Sequence, residues 1–239
     1  MRLDKFLCDL EIGSRREVKD LIRKGLIRIN GEVQKKPEYQ INETLDTVCF
    51  RDKLLTYQKF VYYLMYKPAG VITASSDRKD KTVLDLLPDE YKRKDVFAVG
   101  RLDKDTTGLL LITNNGALSH KLLSAKNHVW KKYLVTTRDR ITEKQLELLT
   151  QGVDLGEEDG FSLPAKCDII DGNDDQFYLS IREGKYHQVK RMLKAVGNEV
   201  TALKRVGFGP ILLPEDMLPG ETRRIEIYES DEDVFVYKL

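Results

Sequence analysis

Long apolar runs, cysteine pairs and clustered histidines are all missing from this 239-residue chain. Its densest apolar stretch, Gly108 to Ile112, falls far short of the roughly 18 residues that a membrane helix needs. The opening MRLDKFLCDL mixes charges with apolar residues and does not read as a secretory signal. Cys8, Cys49 and Cys167 lie far apart and make no CxxC pair. A disulfide framework and a structural zinc site are therefore not expected, and a reducing cytoplasm is. His120, His128 and His187 are scattered, so they suggest no metal-ligand cluster. Net charge is nearly absent as well, at +1.

Hydrophobic residues make up 41% of the chain and charged residues 33%, which is enough apolar material for a folded core. The length fits one large domain or two smaller ones. The near-neutral total hides opposed blocks. Residues 1–36 carry ten Lys/Arg against six Asp/Glu, 178–210 carry seven against two, and 211–239 carry three against eight. Local excesses of this kind permit a polyanion site on a chain that is neutral overall.

The first 58 residues read as a separate helical module with a small hairpin. Leu3, Phe6, Leu7 and Leu10 have helical spacing. Ser14 and Glu17 form a capping box ahead of Val18, Leu21 and Ile22, and Gly25 supplies the stop. Arg15, Lys19 and Arg23 follow one another at i, i+4, i+8 on the opposite face, with Arg16 beside them. Asn30-Gly31, set between alternating apolar residues, signals a two-residue hairpin. This order of elements resembles the S4 RNA-binding module. The resemblance implies that Arg15, Arg16, Lys19 and Arg23 meet RNA phosphates.

A linker is expected over 51–59. Residues 59–239 then read as an α+β domain, with a mixed, largely antiparallel sheet and flanking helices. Strand-like segments (FVYYLMY, GVITAS, FAVGRL, GLLLIT, KKYLVTT, PAKCDII, QFYLSI, EVTALKRV) are interrupted by helical patterns at TVLDLL, ALSHKLLSA, ITEKQLELLTQG and QVKRMLKAVG. Thr142 and Gln145 form a second capping box, Ile141 and Leu146 a possible staple, and Gly152 the stop.

Between the strand at Phe97 to Val99 and the strand at Leu109 to Ile112 lies a charged turn carrying Arg101, Asp103, Lys104 and Asp105. A carboxylate held there beside cations stays ionised and aimed into a cleft. The stretch GRLDKDTTGLLLITNNG resembles the signature of the ribosomal RNA pseudouridine synthases. Tyr66-Lys67-Pro68-Ala69-Gly70, Lys131-Lys132-Tyr133-Leu134-Val135 and the run from Glu183 to Leu193 resemble that family's other segments, in order, over about 60–228. The wording EGKYHQVKRM is similar to the branch acting on small-subunit (16S) rRNA, because large-subunit (23S) relatives usually carry Asn-Arg at Tyr186-His187.

The resemblance implies an enzyme that isomerises uridine to pseudouridine in rRNA without cofactor or metal. Asp103 is its catalytic carboxylate, with attack on C1′, attack on C6 and help in sugar-proton loss all open. Lys190, where many relatives carry Arg, is the partner that keeps Asp103 ionised. Tyr133 stacks on the target base and is also a candidate for moving a proton. Arg101 helps extract the uridine or fills its place, and Leu203 packs near the base. Lys185, His187, Gln188 and Arg191 are expected to bind RNA. The expected partner is 16S rRNA or a small-subunit assembly intermediate, met by a monomer with no membrane association. Asp103-Lys104-Asp105-Thr106-Thr107, with Asp174-Asp175, also fits the D-x-D-x-T pattern of haloacid-dehalogenase-like phosphatases. Arg101 beside a metal-binding aspartate and the missing βαβ alternation argue against that reading.

Overall fold

Apolar spacing and turn chemistry build two compact units, Met1–Lys59 and Phe60–Leu239, in a computed structural model that describes residues 1–10, 12–43, 45–127, 129–229 and 235–238. In the first unit, α1 (Leu3–Asp9) and α2 (Arg15–Arg23) pack on a four-stranded sheet. Its strands are β1 (Ile27–Ile29), β2 (Glu32–Val33), β3 (Val48–Phe50) and β4 (Lys53–Leu55), in the order β2-β1-β3-β4. Leu3, Phe6, Leu7, Val18, Ile22, Ile27 and Val48 form its core. The α2 capping box is closed at both bonds: Ser14 N–H donates to Glu17 Oε2 at 2.7 Å, and Glu17 N–H donates to Ser14 Oγ at 3.4 Å. Asn30 and Gly31 both take positive φ, 51° and 89°, as a type I′ turn requires.

The expected 51–59 linker is shorter than its sequence suggested. Arg51 and Asp52, at φ 47° and 65°, turn the chain back so that residues 53–55 pair as β4 along β3.

The second unit is α+β. It contains β5 (Tyr62–Lys67), β6 (Phe97–Ala98), β7 (Thr107–Thr113), α3 (Gly116–Leu123), β8 (Lys131–Thr137), α4 (Glu143–Gln151), β9 (Lys166–Ile169), β10 (Gln176–Ile181), α5 (Gln188–Ala195), β11 (Val200–Phe208), β12 (Ile211–Leu212), β13 (Thr222–Glu229) and β14 (Phe235–Lys238). The main path is β14-β13-β5-β7-β11-β8-β10-β9, with β12 beside β11 and β6 beside β7. Among the described pairings of this sheet only β7 with β11 is parallel. That topology is not the doubly wound sheet a dehalogenase-like phosphatase needs.

The strand β7 is buried on both faces, which explains the unbroken GLLLI run. Leu110 and Ile112 point into a core shared with Tyr63, Val135, Leu149, Phe177 and Met192, while Leu109 and Leu111 point into one shared with Leu64, Leu118, Leu122 and Phe208. Two expected elements differ. GVITAS makes only a single bridge, Ile72 to Thr82, because the chain is tied away through Thr73 Oγ1, which donates to Leu102 O at 2.8 Å. TVLDLL yields just one tight turn over Leu84–Leu86, because Pro88 follows immediately and cannot continue a helix. No helix among the described residues is long and apolar enough to cross a membrane.

Candidate active site

The charged turn between β6 and β7 is fastened before any ligand arrives. Thr106 N–H donates to Asp103 O at 3.1 Å, and Gly70 N–H donates to Lys104 O at 2.8 Å. Thr73 Oγ1 accepts from Leu102 N–H at 3.2 Å. The strongest fastening is Lys67, which is fully buried. Its ammonium donates to Thr106 O (2.8 Å), Pro68 O (3.0 Å) and Lys104 O (3.4 Å). Burial pushes the Lys67 amine down to about 8, against the pull of Asp105 and Asp103.

The family-like segment containing Lys67 stood out in the sequence, but its role did not. Replacing Lys67 by Met should take the ammonium donor from Thr106 O and Pro68 O, leave Lys104 O with Gly70 N–H alone, and cost about 2–5 kcal/mol. Between pH 8 and the ordinary lysine value of 10.5 the unfolded chain holds a proton here that the folded chain has released. The stability advantage of the wild type over Lys67→Met should therefore grow across that window, as chemical denaturation at pH 7.5 and 10 would measure.

Asp103 stands half-buried on this turn, and α5 carries Lys190 up to it. Lys190 Nζ lies 3.2 Å from Asp103 Oδ2 and closer still to Asp105, at 2.7 and 2.9 Å from its two oxygens. One ammonium thus bridges two carboxylates. Burial works against the charge on Lys190, but its hydrogen bonds to Asp105 and Asp103 prevail and raise its pKa above the ordinary value. The same bond to Lys190 holds the Asp105 carboxyl below the usual range despite partial burial. His187 adds a second neighbour, with Nε2 at 3.5 Å from Asp103 Oδ1. Arg101, two residues before Asp103, is exposed and makes no ion pair or side-chain hydrogen bond among the described residues.

Tyr133 on β8 and Leu203 on β11 are both buried, in one core with Leu102 from the Asp103 turn and Val189 from α5. Tyr133 pairs in register with Arg205, whose guanidinium also hydrogen-bonds it. Arg205 is only 2% exposed and donates Nε to Leu109 O at 2.8 Å. Nothing in the sequence marked this arginine as interior, because its acceptors come from distant strands.

Three residues expected to bind RNA also make hydrogen bonds within the protein. Lys185 Nζ donates to Asp159 O and Phe161 O at 2.8 and 2.9 Å. Gln188 is buried, donating Nε2 to Glu183 Oε1 at 2.6 Å and accepting from Lys185 N–H at 3.0 Å. Arg191 is held by the Asp159 carboxylate, Leu155 O and Tyr186 O. In the N-terminal unit, Arg15 and Arg16 are exposed and Lys19 is half-exposed, all without ion pairs among the described residues, while Arg23 lies 3.6 Å from Asp20.

Among the described residues no group of three or more His, Cys, Asp or Glu is placed to hold a metal ion. His120 is exposed on α3, and His128 lies outside the described residues.

The RNA pseudouridylate synthase family matches residues 61–195, and the S4 domain matches residues 1–50. An uncharacterized RNA pseudouridine synthase of Bacillus subtilis is 43% identical over 228 residues, covering 94% of this chain and 95% of the relative. A ribosomal small subunit pseudouridine synthase A of Vibrio vulnificus is 40% identical over 231 residues, covering 97% and 98%. The crystal structure of a pseudouridylate synthase superposes with a TM-score of 0.65 at 36% identity, covering 94% of this chain and 95% of that one.

Proposed function

Because the chain belongs to the RNA pseudouridylate synthase family and is an RNA pseudouridine synthase with an S4 domain, we propose that it converts one uridine of 16S rRNA to pseudouridine with Asp103 as the reacting carboxylate. In this isomerisation the N1–C1′ bond breaks, the base turns and C5 bonds to C1′. The C5 proton leaves and N1 takes one up, so nothing is oxidised and no group is imported. The reaction needs neither cofactor nor metal. It does need a charged carboxylate beside the sugar and base.

The observation that carries this reading is the Lys190 ammonium, which lies within 3.2 Å of Asp103 while Asp105 takes its two shortest contacts. Such a cation faces the Asp103 carboxylate through Oδ2 alone. Tyr133 and Leu203 supply the ring and the apolar contact for an extracted base. Arg101, free and exposed, enters the stack that the uridine leaves. The name of the Vibrio vulnificus relative supports the small subunit as substrate. The three cysteines are all unpaired, which suits the cytoplasm, where the enzyme acts as a monomer on free rRNA or on an assembling subunit.

Incubation with in vitro transcribed 16S and 23S rRNA, followed by carbodiimide-stopped reverse transcription, tests the assignment. A single new stop in 16S is expected. A stop in 23S alone would move the enzyme to the large-subunit branch.

The domain division at 58/59 gives the front module a separable job: it clamps rRNA and leaves the chemistry to residues 59–239. Changing Arg15, Arg16, Lys19 and Arg23 to Gln should weaken rRNA binding. It should also flatten the salt dependence by about 0.7–0.9 log unit per log salt for each phosphate that the variant no longer meets. The rate at saturating RNA should change much less. Equal salt slopes for wild type and variant would assign these cations to solvent.

A further inference from the structure

Tyr186 is an anomaly in an otherwise tightly bonded turn. Around it, the side chains of Glu183, Lys185, Gln188 and Arg191 are hydrogen-bonded within the protein. Tyr186 itself is 76% exposed, and its one ring contact among the described residues is the imidazole of His187. The two rings lie 3.9 Å apart at an interplanar angle of 17°. Neighbouring residues in a helix or strand point well apart and cannot stack in this way. Here the stack is made by His187, whose φ of 48° is left-handed and sterically costly for a side chain of its size. Strain of this kind persists only where the surroundings fix it, and the bonded residues of the turn do so.

The stack also has a definite place. His187 Nε2 is 3.5 Å from Asp103 Oδ1, so the pair stands beside the candidate reacting carboxylate with Tyr186 on the outside. We propose that the Tyr186–His187 pair is a preformed stacking platform for an unpaired nucleobase of the RNA, the one adjoining the target uridine. An exposed aromatic face accepts any base by stacking. The nearby cations Lys185 and Arg191 are spent on the Asp159 loop, so the platform offers π-surface rather than charge. It therefore selects substrates in which the nucleotide next to the uridine is unstacked, and it holds that nucleotide while Asp103 acts. The assignment rests on the reading of Asp103 given above.

Full-length wild type, Tyr186→Ala and Tyr186→Phe should be compared on a 16S rRNA transcript, by filter binding across a salt series and by pseudouridine formation across RNA concentrations. For Tyr186→Ala, the dissociation constant and the half-saturating RNA concentration should both rise at least about fivefold, the size of one missing stack. The salt slope should stay unchanged, because no phosphate-binding group is removed. Tyr186→Phe keeps the ring and should stay within twofold of wild type. Unchanged binding by Tyr186→Ala, an equal loss in Tyr186→Phe, or a flattened slope would each overturn the platform. A wild type that binds the transcript and forms no pseudouridine would instead overturn the substrate assignment, and the binding comparison would still decide the platform.

Discussion

Asp103→Asn should reduce pseudouridine formation by at least about 10³-fold while leaving the protein folded and able to bind RNA. The amide keeps the shape of the side chain but carries no charge and no nucleophilic oxygen. The structure explains why the fold should tolerate the change. Lys190 keeps Asp105, which already provides its two shortest contacts at 2.7 and 2.9 Å. Its ammonium is therefore not left without a partner, the usual reason that breaking an ion pair is destabilising. The main-chain bonds that shape the turn involve the Asp103 carbonyl rather than its carboxylate. The melting temperature should stay within about 2 °C of wild type, as for a stability change of about 0.5 kcal/mol. Single-turnover assays on protein shown free of wild-type carry-over give the test. Turnover within tenfold of wild type would remove Asp103 from the chemistry.

The largest structural effect is expected at Gly108. Its φ is +103°, where a side chain is strained, and a Cβ there would sit 2.2 Å from Arg205 O and 2.7 Å from Arg205 N. The clashing atoms are backbone, and they cannot retreat: β11 is pinned on its far side by β8 through the Arg205–Tyr133 register. Gly108→Ala should therefore cost about 3–5 kcal/mol and lower the melting temperature by roughly 10 °C. Gly116→Ala, at the start of α3 with no atom within 4 Å of the new Cβ, should be neutral or slightly stabilising. Similar melting temperatures for the two variants would mean that β7 and β11 can separate more easily than their packing suggests.

What could be read in advance was local. The two capping boxes, the Asn30-Gly31 turn and the apolar strands other than GVITAS depend on residues within a few positions of each other, and the corresponding elements appear where those signals stand. What could not be read depended on partners far along the chain. The bonds that Lys185 and Arg191 make to the 155–161 loop reach some 24 to 36 residues upstream. Lys67 and Arg205 are buried cations with acceptors 37 to 39 and 96 residues away, beside the adjacent Pro68 O for Lys67. The Arg51-Asp52 turn failed for a different reason. It takes the left-handed geometry normally marked by Asn-Gly, and neither residue advertises it. At the candidate site, motif matching singled out Asp103 and Lys190 but assigned no task to Asp105, which holds the lysine more closely than Asp103 does.

The parallel pairing of β7 with β11 also dictates when the enzyme comes into being. The bond from Arg205 to Leu109 joins strands 96 residues apart, and the Lys190 bridge to Asp105 spans 85. Closing loops of that length is slow compared with forming a hairpin, so the centre of the sheet is assembled late in folding. During synthesis, the aspartate turn leaves the ribosome long before the strand and helix that complete it. On the proposed role of Asp103, a growing chain of this protein therefore holds its carboxylate on an unfinished sheet, and Lys190 reaches the turn only once α5 has been made.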